Sequence, residues 1–103
     1  MAKVIESNGV LTLKLSRLEK LGALHGDISV ESSKLISKSE VANPWTKETL
    51  RGVRSPGTAI PYRILLGTMR FKGGKDFCAI YRRTPAVIYE FRDEEFSRWI
   101  VSL

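Results

Sequence analysis

The chain is poor in the residues on which most catalytic and metal chemistry depends. It has one cysteine, Cys78, and one histidine, His25, in 103 residues. A single thiol makes no internal disulfide and no thiol-based metal site, which argues against a disulfide-stapled secreted scaffold and makes a reducing, cytoplasmic compartment the expectation. A lone histidine leaves a metal site or a Cys–His pair without a partner at any useful spacing. His25, between Leu24 and Gly26, therefore reads as a loop residue. Cys78, within "FCAIY", reads as a small buried side chain. No apolar run approaches the roughly 18 residues of a membrane span, and "MAKVIESNGV" has no stretch apolar enough for a signal peptide. "KGGKD" fails as a phosphate loop: Met69 stands where the first glycine belongs, Asp76 replaces Ser or Thr, and strand patterns flank it. Asp93 to Glu95, "DEE", reads as a solvated acidic turn. The expectation is a protein that is not an enzyme, with no cofactor, no metal and no small-molecule substrate.

Acid is missing locally as well. Between Thr49 and Lys75 there is no Asp or Glu, while Arg51, Arg54, Arg63, Arg70, Lys72 and Lys75 supply a charge equal to the whole formal net charge of +6. The other 11 of the 17 basic residues balance the 11 acids. Such asymmetry bears on attraction to anionic surfaces and not on fold.

What is present is ordinary for a globular chain: 43% hydrophobic residues and nine aromatics, enough for one domain, 1–103, and too little to divide in two. Asn8-Gly9 predicts a two-residue type I′ hairpin with Ser7 opposite Val10, Glu6 opposite Leu11 and Val4 opposite Leu13. Val4, Leu11, Leu13 and Leu15 then share a core face, with Ile5 and Val10 on the wetter side. "SRLEKLG" carries a capping box, Ser16 with Glu19, and predicts a helix of barely two turns near Ser16–Leu21. Gly22 suits its left-handed C-terminal cap, and Leu18 and Leu21 are placed to dock on the hairpin. Ile28 and Val30 alternate with polar residues, and with "LIS" after the "ESSK" turn they suggest a weaker second hairpin.

The segment from Ala42 to Pro61 reads as a long connection. Its prolines and glycines keep a central strand from running through it, leave a short edge strand around Leu50 to Arg54, and make Pro56-Gly57 the centre of a type II turn. After Pro61, "YRILLGTMRF", "KDFCAIYR", "PAVIYEF" and "FSRWIVSL" read as four strands in a meander. The fold expected is mainly β, about seven strands with one short helix, as a small barrel or strongly bent antiparallel sheets.

From Leu50 to Leu103 the chain resembles the bacterial pleckstrin-homology-like (PH-like) domains. Arg54, Pro56, Gly57, Thr58, Pro61, Gly67, Gly73, Pro85 and Ala86 carry the likeness, in "RSPGTAIP", "GTMRFKGGKDF", "PAVIYEF" and "FSRWIVSL". The resemblance implies a bent barrel that serves binding or assembly without catalysis. Two features depart from the family pattern. The family pattern would continue past Leu103 into a helix that caps the barrel, so either that helix is missing or the chain is clipped, and "SRLEKLG" is an added helical turn placed to cover the same opening. The Asn8-Gly9 loop is too tight for the headgroup-binding motif of eukaryotic PH domains.

The candidate binding residues for an anionic surface or acidic partner are Arg70, Lys72 and Lys75 around the Gly73-Gly74 turn, with Arg51 and Arg54. Arg82 or Arg83 joins them if the fold bends that way. The leading expectation is a binding or assembly module working through a protein partner or self-association, with weak attraction to an anionic membrane and a membrane-peripheral placement. Charge alone gives only weak, salt-sensitive attachment. The alternative is a nucleic-acid-binding β-barrel, in which Tyr62, Phe71, Phe77 and Tyr81 stack bases. Those four aromatics otherwise fill the core.

Overall fold

Asn8 and Gly9 take φ values of 52° and 77°, the pair of left-handed residues that a two-residue hairpin turn needs. They join β1 (Lys3–Ser7) to β2 (Val10–Lys14) in the register read from the sequence, Ser7 opposite Val10 and Val4 opposite Leu13. Leu11, Leu13 and Leu15 are buried, while Ile5 and Val10 stand exposed on the other face. The computed structural model describes residues 2–103, and the side chains of all of these except Ser55 and Pro56.

Ser16 caps helix α1 (Arg17–Ala23) with the full reciprocal box. Its hydroxyl accepts the Glu19 amide at 3.2 Å, and Glu19 Oε1 accepts the Ser16 amide at 2.8 Å. The helix ends two residues later than expected. Leu24, at φ 54°, takes the left-handed cap position assigned to Gly22. Gly22 has another reason to be glycine: a Cβ there would lie 3.2 Å from Leu66 Cδ1, and its carbonyl accepts the Thr58 hydroxyl at 2.7 Å. The missing side chain lets α1 lie close to the large sheet. Leu18 and Leu21 do not dock on the hairpin; they are 80% and 71% exposed. The helix turns the Glu19–Ala23 face inward instead, because the Glu19 carboxylate is drawn in by Ala2 N at 2.6 Å and by the Tyr81 hydroxyl.

The second hairpin does not form. β3 (Ile28–Glu31) pairs with β2, opposing Val30 to Leu11 so that both reach the same core. A 3-10 turn at Ser32–Lys34 then passes the chain to another sheet. There β4 (Leu35–Val41), β5 (Val53–Ile60), β6 (Ile64–Phe71), β7 (Gly74–Tyr81), β8 (Ala86–Phe91) and β9 (Arg98–Ser102) assemble in the order β4-β8-β9-β7-β6-β5. The last four strands are no meander, since β9 inserts between β7 and β8 and runs parallel to β7. All five of its residues are buried, as a central strand covered on both faces requires.

β5 is a full edge strand of eight residues. It accommodates Pro56 because its register slips between Arg54 and Gly57, and an edge bulge is where a strand tolerates proline. Gly57, at φ 147°, is therefore not in a type II turn but pairs with Gly67, and a Cβ on it would overlap the Leu66 carbonyl and lie 2.8 Å from Gly67 Cα. The turn of that pattern comes at Pro61-Tyr62. With β4 and β5 as free edges the sheets bend without closing into a barrel. The described residues hold nine strands, more than the seven or so expected.

The three-stranded sheet and α1 cover one face of the large sheet around Leu13, Phe77, Phe96 and Trp99. The other face, Leu65, Met69, Cys78, Ile80, Ala86 and Ile100, is covered by residues 42–52 through Trp45 and Leu50. No helix among the described residues is long and apolar enough to cross a membrane.

Candidate functional site

The expected basic cluster is only partly assembled. The acid-free run ends at Lys75, and the next residue, Asp76, has no exposed surface. A buried carboxylate must be paired to stay ionised, and two arginines close on it. Arg51 donates to Asp76 Oδ2 at 3.0 Å and to Oδ1 at 2.8 Å, with its guanidinium 4.0 Å from the centre of the Phe71 ring. Arg98, from β9, donates twice to Oδ2, at 3.2 and 2.8 Å, and to the Thr49 carbonyl at 2.7 Å. This network pins residues 49–51 to the sheet. Arg51 thus faces inward to a carboxylate, unlike its expected place on an open anionic-ligand surface.

Lys75 is engaged as well. Its Nζ lies 3.0 Å from Glu95 Oε2 and 5.0 Å from the Phe96 ring centre, so the "DEE" turn is not wholly solvated. Arg54, Arg70 and Lys72 are exposed at this same end of the sheet. The five residues are not gathered into one purely cationic surface.

The opposite end is different. Here the β5–β6 turn, the β7–β8 turn and residues 45–47 come together. Pro61 leads the first turn and Arg63 N closes it on the Ile60 carbonyl at 2.9 Å. That geometry demands a left-handed residue third in the turn, where glycine is usual, and Tyr62 occupies it at φ 63°. Arg82, at φ 55°, is a second left-handed residue alongside, its amide bonded to the Arg63 carbonyl at 2.8 Å. Non-glycine residues in this conformation cost free energy and gather at functional sites.

Trp45 Nε1 donates to the Arg82 carbonyl at 2.6 Å. The Trp45 and Tyr62 rings lie 5.6 Å apart at 52°, and the Arg83 guanidinium sits 4.3 Å from the centre of the Tyr62 ring. Between them opens a pocket of about 340 Å³ lined by Trp45, Thr46, Lys47, Leu50, Pro61 and Tyr62, within the size range of ligand sites. Among the described residues, Lys47, Arg63, Arg82 and Arg83 are in no ion pair, and all four are exposed. An aromatic floor with an unneutralised cationic rim is suited to holding an apolar group flanked by negative charge.

The remaining titratable groups are structural. Burial pushes the Glu19 carboxyl up, but the Ser16 amide, the Tyr81 hydroxyl and the Ala2 amide outweigh it and hold the group below its ordinary value. Burial, and after it the contact with Glu19, pushes the Tyr81 phenol up. Burial pushes the Cys78 thiol far up, which leaves it inert. His25 packs on Phe77 and Phe96 at 5.5 and 5.4 Å. No group of His, Cys, Asp or Glu among the described residues is placed to hold a metal. Of the four aromatics considered for stacking, Phe77 is wholly buried, Phe71 and Tyr81 are half-buried, and Tyr62 is exposed.

No family model, curated protein or solved structure matches the chain. These comparisons identify no PH-like family, and that resemblance rests only on the sequence positions named for it.

Linear reasoning missed the basic aromatic end because its parts are scattered over Trp45, Pro61–Arg63 and Arg82–Arg83. One local signal was available: a tyrosine after the proline of a tight turn, where glycine would be easier.

Proposed function

We propose that this protein is a non-catalytic binding module that holds an acidic protein segment, seating one apolar side chain of it in the Trp45–Tyr62 pocket. The observation that carries the reading is the juxtaposition of that pocket with Lys47, Arg63, Arg82 and Arg83. Tryptophan, tyrosine and arginine are the residues that anchor protein interfaces. Nucleic acid fits less well: one face of Tyr62 is already taken by Arg83, and the Trp45 and Tyr62 rings pack on each other, which leaves less free stacking surface. The resemblance to PH-like domains supports the same use of the scaffold, binding without chemistry. A lone, buried thiol supports a reducing, cytoplasmic setting.

The two tryptophans provide the test. Trp45 lines the pocket, whereas Trp99 is buried on the other face of the large sheet. Titration with a synthetic peptide of one phenylalanine among aspartates and glutamates should shift the Trp45 indole N–H resonance and leave that of Trp99 in place, with an affinity that falls as salt rises. The matched lysine peptide should do neither. A larger Trp45 shift with oligothymidylate than with the acidic peptide would reassign the site to nucleic acid.

A further inference from the structure

A second surface lies on α1. At about 100° per residue, the helix buries the arc of Glu19, Gly22 and Ala23, which leaves Arg17, Leu18, Lys20 and Leu21 outward, with Leu24 in the cap beyond them. Leu18, Leu21 and Leu24 are 80%, 71% and 65% exposed. Leucines standing out to this degree, three within seven residues, mark an interaction surface more than a random apolar exposure. They are rigidly held: the capping box fixes the start of the helix, and Glu19 ties its inner face to Tyr81.

The charges around them decide the occupant. Arg17 and Lys20 lie between and beside the leucines, and Lys14 is next to them. Asp27 approaches Lys14 and Lys20 at 3.8 Å each, one carboxylate against three cations. A second copy docked about a two-fold axis would bring Arg17 and Lys20 towards their own counterparts, so self-association is disfavoured. A cationic helix whose apolar side chains project outward fits the interface of an anionic bilayer, with leucines among the acyl chains and cations among the headgroups. Tyr81, which holds Glu19, directly precedes Arg82, so the start of α1 lies towards the basic end of the large sheet.

We infer that α1 is a membrane-contact element, which inserts Leu18, Leu21 and Leu24 into the surface of an anionic bilayer while Arg17, Lys20 and Lys14 meet its headgroups. The surface is separate from the Trp45–Tyr62 pocket and does not rest on it.

Sedimentation of the intact chain with phosphatidylcholine–phosphatidylserine vesicles, and with phosphatidylcholine alone, tests this. The protein should sediment with the mixed vesicles and far less with the neutral ones. The Leu18→Gln/Leu21→Gln variant, at exposed positions and checked for folding by circular dichroism, should bind the mixed vesicles at least about tenfold more weakly. Arg17→Gln/Lys20→Gln should lose the preference for phosphatidylserine. Tyr62→Gly should retain vesicle binding while losing the acidic peptide, which separates failure of this inference from failure of the pocket. Equal vesicle binding by the leucine variant overturns the proposal. So does absence of binding to mixed vesicles at low salt, or a concentration-dependent dimer that the leucine variant abolishes.

Discussion

The two ends of the six-stranded sheet carry similar numbers of arginines and lysines and use them in opposite ways. At the Gly73-Gly74 end, Arg51 and Arg98 close on the buried carboxylate of Asp76, and Lys75 pairs with Glu95. At the other end, Arg63, Arg82, Arg83 and Lys47 stand around the Trp45–Tyr62 pocket without an acid partner among the described residues. At the first end Arg51, Arg98 and Lys75 fix the chain, beside the exposed Arg54 and Lys72; at the second the charge around the pocket is left for something else. A run of basic residues in the sequence therefore does not locate a binding surface. One buried acid, placed immediately after the run, draws two arginines inward, because leaving it unpaired costs more than any surface contact of theirs could return.

The sharpest way to break this comparison is to remove that acid. Asp76→Asn leaves Arg98, only 9% exposed, facing a neutral amide, and should cost about 3–5 kcal/mol in urea unfolding. Arg83→Gln at the other end should change stability by less than about 0.5 kcal/mol. If the two variants unfold alike, the ends do not differ in the way described. The next largest effect tests the edge strand beside the network. Gly57→Val puts a branched side chain where φ is 147° and the Leu66 carbonyl already fills the space, so it should cost about 3 kcal/mol. A melting temperature equal to the parent's would mean that β5 does not run against β6 as described.

Much of the fold was legible where the rules are local. The Asn8-Gly9 turn set its own register, and Ser16 with Glu19 set the start of α1, since each depends on residues a few positions apart. The strand order was not legible. Nothing near Arg98–Ser102 says that β9 enters between β7 and β8; that follows from the need to cover Trp99 and Ile100 on both faces at once. Leu18 and Leu21 misled for a related reason. Helical spacing marks them as an inward face, but Glu19 reaches hydrogen-bond donors on Ala2 and Tyr81 that are distant in sequence, and it turns the helix the other way. The candidate site was legible only in pieces: Tyr62 stood out as an aromatic and Arg63, Arg82 and Arg83 as charges, but nothing local brought them to Trp45 and Lys47.

Glu19 offers a sharper contrast of middling size, because it is a buried acid held by amides and a hydroxyl, where Asp76 is held by arginines. Its carboxyl is held below the ordinary 4.5, so its contribution to stability is fully present above that pH and is lost as pH falls through the lower folded value. Glu19→Gln should cost about 1–3 kcal/mol at neutral pH. The variant's stability should also decline less steeply than the parent's below pH 4.5. Asp27, held down chiefly by the Leu15 amide, acts with the same sign, so the acid limb should flatten without vanishing. An unchanged acid limb would show that the Glu19 carboxylate is not what anchors α1.

The smallest effect is the most informative about the open end. Tyr62 holds a left-handed conformation that costs an ordinary L-residue about 1–2 kcal/mol and glycine nothing. Tyr62→Ala and Tyr62→Gly both remove the ring from Trp45 and Arg83, so they lose the same contacts, but only glycine relieves the backbone. Glycine also enlarges the freedom of the unfolded chain, which returns part of that gain. The balance should leave Tyr62→Gly more stable than Tyr62→Ala by about 0.5–1 kcal/mol, with both variants losing the acidic peptide. The backbone strain that a tyrosine accepts there is then set against what its ring contacts. If alanine is the more stable of the two, the turn carries no strain, and the case for Tyr62 as a residue held for binding loses its energetic support.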